Sequence, residues 1–216
     1  GAFSLIMGRH YNNSDTSDFR FSYLLEEQNE RVLIPARNLC TVGTVRDAQK
    51  FPTRDKRTDP DKLDRINFNL LSPYTVQKMF TGVEILRTLQ STCGEDARYY
   101  TYQKCRIKKS SLEKGLDLYD IAITKFLGNS LISRLKNCEC NTIEERRKCL
   151  IPDSEKGLGA WNDISGLLVP HSEIDKLISQ IESGETVTIE YMHNYFRELH
   201  ENYYSLEWTW AWDKIQ

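Results

Sequence analysis

The chain has 216 residues, enough for one large domain or two small ones, and at this size a folded chain buries roughly 70% of the surface it exposes when unfolded. Hydrophobic residues make up 39% and charged residues 28%, which excludes a disordered or fibrous protein. A net charge of −2 excludes a general electrostatic pull toward nucleic acid or an anionic membrane, so any polyanion must be held by a local patch.

Six cysteines in a chain of this length, with no signal peptide in view, predict reduced and mostly buried thiols in a cytoplasmic protein. The apolar run Phe3 to Met7 is too short for a signal core and far too short to span a bilayer. It predicts a strand instead, and the start without Met predicts a piece of a longer chain. Tyr11 to Asp18 is rich in Asn, Ser, Asp and Thr and reads as a loop. Phe19–Leu25 and Arg31–Ile34 predict a hairpin around a four-residue connection, Glu27 to Glu30. The first 45 residues are thus expected to be extended and loop-rich.

From Thr41 the composition changes. Gly43 allows a turn, and Arg46, Lys50, Arg54, Lys56 and Arg57 surround Asp47 and Asp55 in what reads as an Arg-rich loop. Guanidinium forks bind phosphate or carboxylate bidentately, and neighbouring Asp residues hold the forks in place. The same residues fit a solvated run of alternating charges that pair with one another. Asp59-Pro60-Asp61 closes the stretch as a turn.

Ser72-Pro73 is a helix-start signal, an N-cap followed by the residue whose missing N–H costs nothing there. Val76, Met79, Phe80, Val83 and Leu86 follow at helical spacing and Gly94 stops the pattern, predicting a helix over 73–91. Tyr99, Tyr100 and Tyr102 occupy a short β-prone segment. Ser110 and Glu113 have capping-box spacing, and Leu112, Leu116, Tyr119, Ile123 and Phe126 predict a central helix. Gly115 and Gly128 in it predict close crossings or a bend. Cys138-x-Cys140 with Cys149 lacks the paired C-x2-4-C spacing of a zinc site, so no metal is predicted, and no motif calls for a cofactor.

Thr142 with Glu145 predicts a capped helix ending near Leu150. Gly157 to Trp161 reads as a loop, with no completed dinucleotide fingerprint. Ile174, Leu177, Ile178 and Ile181 predict a helix capped by Ser172 and ended by Gly184. A last helix is expected over 187–212, its stripe running from Met192 through Tyr203 to Trp210. His193 and His200, seven apart, lack an HExxH spacing and read as packing or hydrogen-bonding residues. The fold class that follows is mainly α: a helical domain over 72–216 behind a short β or extended N-terminal segment over 1–71.

The phrases RHYNNSDTSDFRFSYLLEE, RVLIPARNLCTVGTVRDAQKFPTRDKR, NFNLLSPYTVQKM, GLGAWNDISGLLVP and YYSLEWTWAWDKI, spread over nearly the whole chain, carry a resemblance. They are similar to the C-terminal region of an uncharacterised bacterial family whose larger members carry hexapeptide repeats upstream. That family is expected to form a left-handed β-helix and is sometimes described as related to UDP-N-acetylglucosamine pyrophosphorylase. The resemblance implies that the N-terminal segment continues the end of such a β-helix, that the chain packs on it, and that homo-oligomers form. In hexapeptide acyltransferases a His often serves as base, which draws attention to His10.

Two functions follow as expectations. One is a non-catalytic assembly or substrate-closing module of a sugar-nucleotide-type protein. The other is an enzyme fragment, acyl- or nucleotidyltransferase-like, in which Arg9, His10, Arg46, Asp47, Arg54, Asp55 and Arg57 hold a phosphorylated sugar or nucleotide. Neither a catalytic residue nor a nucleic-acid or membrane partner is predicted.

Overall fold

The computed structural model describes residues 1–11, 14–60, 62–136, 138, 142–185 and 187–216, with every side chain among them except that of residue 42. The protein is mainly α, with short strands concentrated toward its N-terminus. Its residues gather into two compact units, Gly1–Pro52 with Thr75–Thr124, and Thr53–Tyr74 with Lys125–Gln216.

The first unit is built on a five-stranded sheet in the order β1-β2-β3-β5-β4, with strands Leu5–Met7, Tyr23–Glu27, Glu30–Ile34, Cys105–Lys108 and Tyr99–Tyr102. The pair β2 and β3 is the predicted hairpin, but its connection has two residues instead of four. Gln28 and Asn29 both take left-handed φ values, 53° and 63°, which matches the twist of a tight hairpin. Gln103 and Lys104 turn β4 into β5 in the same way. Neither turn carries the Asn-Gly signal that makes such turns readable.

Leu24, Leu33, Tyr100, Cys105 and Ile107 are buried on one face of the sheet, and Val32 is buried on the other. Helix α2, which spans Pro73–Cys93, and helix α3, which spans Lys109–Lys136, add their apolar stripes to the core. Val76, Met79, Val83 and Leu86 are buried at the predicted spacing, as are Leu112, Tyr119 and Ile123. Each such side chain contributes roughly 1.5–3 kcal/mol by leaving water, more than any surface ion pair returns. Gly115 brings the α3 backbone against Pro35, whereas Gly128 has no neighbour within 4 Å. The Tyr119 hydroxyl donates to the Arg20 carbonyl at 2.7 Å, securing the loop that leads into β2.

Helix α1, Val42–Arg54, corrects the expectation of an Arg-rich loop: the first half of the charged stretch is helical. Gly43 costs up to about 1 kcal/mol in a helix, but Arg46, Ala48, Gln49 and Lys50 are all good helix formers and outweigh it. Pro52 falls in the last turn, where few further backbone bonds are left to break.

In the second unit the predicted capping box is present. Thr142 accepts from the Glu145 N–H and Glu145 accepts from the Thr142 N–H, opening helix α4 over Ile143–Leu150. The stretch read as a loop at Gly157 to Trp161 leads directly into a hairpin, β6 Trp161–Ile164 and β7 Leu167–Pro170, turned by Ser165 and Gly166. Helix α5, His171–Glu182, starts straight after Pro170, so Ser172 lies inside the first turn and is not the cap. Gly184 ends it with φ 79°.

The single last helix expected over 187–212 is two helices, α6 Ile189–Glu201 and α7 Tyr203–Ile215. Asn202 breaks them: its backbone sits at φ −89°, ψ 8°, and its side-chain amide donates to the Glu198 carbonyl at 2.9 Å. Helix α7 is buried from Leu206 to Ala211, and two of its indoles reach backbone carbonyls. Trp208 donates to Leu150 at 3.0 Å and Trp210 to Gly159 at 3.1 Å. Trp161 packs edge-on against Tyr203, with ring centres 5.8 Å apart. All four tryptophans of the chain, Trp161, Trp208, Trp210 and Trp212, fall in this unit.

The cysteines are less buried than predicted: Cys40 and Cys93 are exposed, Cys105 is buried, and Cys138 and Cys149 lie between. Cys140, the second member of the predicted pair, and Asp61, the end of the predicted turn, lie outside the described residues. Among the described residues no three His, Cys, Asp or Glu side chains gather as a metal site. Among the same residues no helix is long and apolar enough to cross a membrane.

Candidate functional site

Strand pairing in the first unit brings three distant segments to one end of its sheet. Because β1 runs parallel to β2, its exit at Gly8, Arg9 and His10 lies at the end where β2 turns through Gln28 and Asn29 into β3. Because β3 runs parallel to β5, the Gln103-Lys104 turn falls at that end too. Gly8 makes the exit possible. It holds φ 103°, and a Cβ there would stand 2.6 Å from the Glu26 Cβ. The close approach lets the Arg9 N–H donate to the Glu26 carboxylate at 2.9 Å.

Between these segments lies a cavity of about 380 Å³, within the range of small-molecule sites. Four cationic side chains line it, Arg9, Arg31, Lys104 and Arg106, against the two carboxylates Glu26 and Glu30. Arg106 forms an ion pair with Glu30 and stacks over the Tyr99 ring, 4.2 Å from its centre. Arg31 donates to the Ser14 hydroxyl at 2.6 Å. His10 is fixed by contact of its Nε2 with the Met7 carbonyl at 3.1 Å. Its Nδ1 and the Arg106 Nε are buried with no hydrogen-bond partner among the described residues. The Arg106 Nε–H and the surplus positive charge suit an oxygen acceptor carrying negative charge, whereas the His10 Nδ1, opposite an Nε2–H given to the Met7 carbonyl, is itself an acceptor in the neutral ring.

The seven residues singled out in the sequence divide between the units. Arg9 and His10 meet at this cavity. In the same unit Arg46 bonds its neighbour Asp47 at 3.3 Å on the exposed face of α1, and neither lines the cavity. Arg54, Asp55 and Arg57 belong to the second unit. There Arg57 grips Asp55 through two nitrogens at 2.8 Å each and also reaches Asp64, while Lys62 approaches Asp55 at 3.2 Å. The hydrogen bonds from Arg57 hold the Asp55 carboxyl well below the usual carboxylate range. That forked geometry is the one expected of a guanidinium on an anion, with the protein's own carboxylates as the anions.

Residues 1–90 match a family model described as Domain of unknown function (DUF4954), and residues 141–216 match one described as Domain of unknown function (DUF6819). No curated protein and no solved structure matches the chain at a significant level. Arg9, His10 and Arg31 lie within the first matched segment, and Lys104 and Arg106 lie beyond it.

Arg31, Lys104 and Arg106 were not singled out in the sequence. Each stands alone in a strand or turn, and only the parallel pairing of β3 with β5 makes them neighbours. The second unit holds a further unheralded residue, Glu207, buried in the middle of the aromatic run Leu206 to Trp212. Its signal was present in the sequence: one acid inside an otherwise apolar helical stretch.

Proposed function

We propose that this chain is a substrate-closing module of a sugar-nucleotide-type protein, binding the charged part of a phosphorylated sugar or nucleotide sugar in the first unit. The convergence of Arg9, His10, Arg31, Lys104 and Arg106 on one cavity, with two buried nitrogens left unpaired, carries this reading. A phosphate offers an oxygen to the Arg106 Nε–H and charge to the surplus cations, and a sugar hydroxyl can donate to the His10 Nδ1. The resemblance to a hexapeptide-repeat family supplies the sugar-nucleotide context.

A role in assembly has separate support. Strand β1 forms an edge of the sheet, and Leu5, Ile6 and Met7 along it are all exposed, Ile6 by 56%. An apolar edge strand is a ready template for further β structure. It suits the packing on an upstream β-helix, and the homo-oligomer, that the resemblance implies.

A thermal-shift panel of nucleotide sugars, sugar phosphates, acyl-CoA and inorganic phosphate tests the binding proposal. A ligand at a hundred times its dissociation constant adds about 2.7 kcal/mol of apparent stability. The expected result is a shift with a phosphorylated sugar that disappears in Lys104→Met and weakens in His10→Ala. An unchanged shift in both variants, or no shift from any compound with a cooperative melt, overturns it.

A further inference from the structure

The second unit contains a cleft of about 660 Å³ that none of the residues predicted from sequence touches. Phe126, Trp208, Ser130 and Glu207 line it as buried side chains, and Tyr204 is its open ring, 69% exposed. Further polar groups around it are small and uncharged: the amides of Asn69 and Asn129 and the hydroxyls of Ser133 and Ser205.

Glu207 decides the character of the site. It is only 9% exposed, and among the described residues it pairs with no Lys, Arg or His. The Ser130 hydroxyl donates to it at 3.1 Å. One turn earlier on α7, the Tyr203 hydroxyl is buried beside this carboxyl and forms no hydrogen bond of good geometry. Burial without a cation raises the Glu207 pKa, so the group tends toward its neutral form, able to donate as well as accept.

Arg134 lines the cleft and is the one cation among its described lining residues, yet its guanidinium is engaged elsewhere. It donates to the Cys149 carbonyl at 2.7 Å and to the Ile151 carbonyl at 3.5 Å, and it faces the Asp153 carboxylate at 3.6 Å. With the Arg134 guanidinium turned to the Cys149 and Ile151 carbonyls and to Asp153, the cleft offers a phosphate no free cation among its described lining residues. Its complement is a molecule without charge, with several hydroxyls and flat C–H faces. Aromatic walls take such faces, and amides, hydroxyls and a carboxyl take the hydroxyls.

We infer that this cleft binds an uncharged sugar of one or two rings, with Glu207 and Ser130 hydrogen-bonding its hydroxyls and the exposed Tyr204 ring receiving its C–H surface. The site is distinct from the basic cavity of the first unit, and neither proposal depends on the other.

Saturation-transfer NMR on the whole chain tests it with D-glucose, N-acetyl-D-glucosamine and cellobiose as probes. At least one of them is expected to show transfer to its ring C–H protons. Affinity for that sugar should fall about tenfold or more in Glu207→Ala and survive in Glu207→Gln, which keeps a neutral hydrogen-bonding group. Because the alanine variant leaves a cavity and risks misfolding, Ser205→Phe on the exposed rim provides a second block. It should abolish the transfer while leaving the melting temperature unchanged. Transfer from none of the three sugars overturns the inference, as does binding that Ser205→Phe leaves intact. Glucose 6-phosphate binding more tightly than glucose, and losing that binding in Ser205→Phe, overturns the neutral-ligand assignment.

Discussion

Ser130 and Glu207, 77 positions apart in sequence, are joined by a hydrogen bond of 3.1 Å from the serine hydroxyl to the carboxyl group, with both side chains buried. Removing the donor leaves the acid with its desolvation cost uncompensated. Ser130→Ala should therefore lower stability by about 1–2 kcal/mol, measured by urea denaturation.

The same acid sets a pH dependence. Its folded pKa is raised above the ordinary value of 4.5, so the folded state holds the proton more tightly than the unfolded state. The stability this contributes is fully present below about pH 4.5 and fades as pH rises through the raised value. Glu207→Gln should melt above the parent at neutral pH and show a flatter melting profile on the alkaline side. Equal profiles for the two proteins would mean that Glu207 ionises freely.

Asp18 joins two elements of the first unit, accepting from Lys78 at 2.9 Å and from the Tyr102 hydroxyl at 3.1 Å. Burial, and then the bond to Asp18, push the Tyr102 phenol up to about 12. A raised phenol contributes stability that is present below its unfolded value of 10 and lost as pH climbs through 12. Asp18→Asn should bring the phenol down yet leave it above 10, since burial is the larger cause. Ultraviolet titration against Tyr102→Phe reads the shift, and stability should drop by about 1 kcal/mol.

Two glycines of α3 should respond oppositely to alanine. At Gly115 the new Cβ would lie 2.9 Å from the Pro35 Cβ, and overpacking of this kind costs roughly 1–3 kcal/mol. At Gly128 it meets nothing within 4 Å, and removing a helix-interior glycine should stabilise by about 0.5–1 kcal/mol. Denaturation midpoints of the two variants moving in the same direction would refute the contrast.

Arg57→Ala should release the carboxyl groups it now depresses, raising both the Asp55 and the Asp64 pKa toward 3.8. A depressed carboxylate stabilises above its unfolded value and loses that contribution as pH falls through the folded one. The variant's stability should then depend less on pH in the acid range, with carboxyl carbon shifts reading the pKa directly. Exposure makes the loss at neutral pH small and dependent on salt.

Local signals were the legible part of this fold. The Thr142–Glu145 box, the Ser72-Pro73 start and the stripe from Val76 to Leu86 each act within a few residues, so spacing alone exposes them. What escaped depends on competition or on distance. The helix at Val42–Arg54 was hidden because Gly43 and Pro52 read as breakers, although the residues between them favour a helix. The hairpin at Trp161–Pro170 turns on Ser165-Gly166 between very short strands, and Asn202 breaks a stretch whose helical periodicity continues on both sides of it. For the site, His10 is picked out through the resemblance to a hexapeptide-repeat family, with Arg9 beside it. Arg31, Lys104 and Arg106 join them only through strand register, which no local pattern encodes.

The placement of every tryptophan in one compact unit gives the protein a built-in optical partition. Indole emission reports the loosening of Thr53–Tyr74 and Lys125–Gln216 alone, while the first unit, which has tyrosines but no indole, stays silent at those wavelengths. Helical circular dichroism sums over both. Denaturation curves followed by the two probes will superimpose only if the units melt together, so one cuvette is enough to count cooperative transitions.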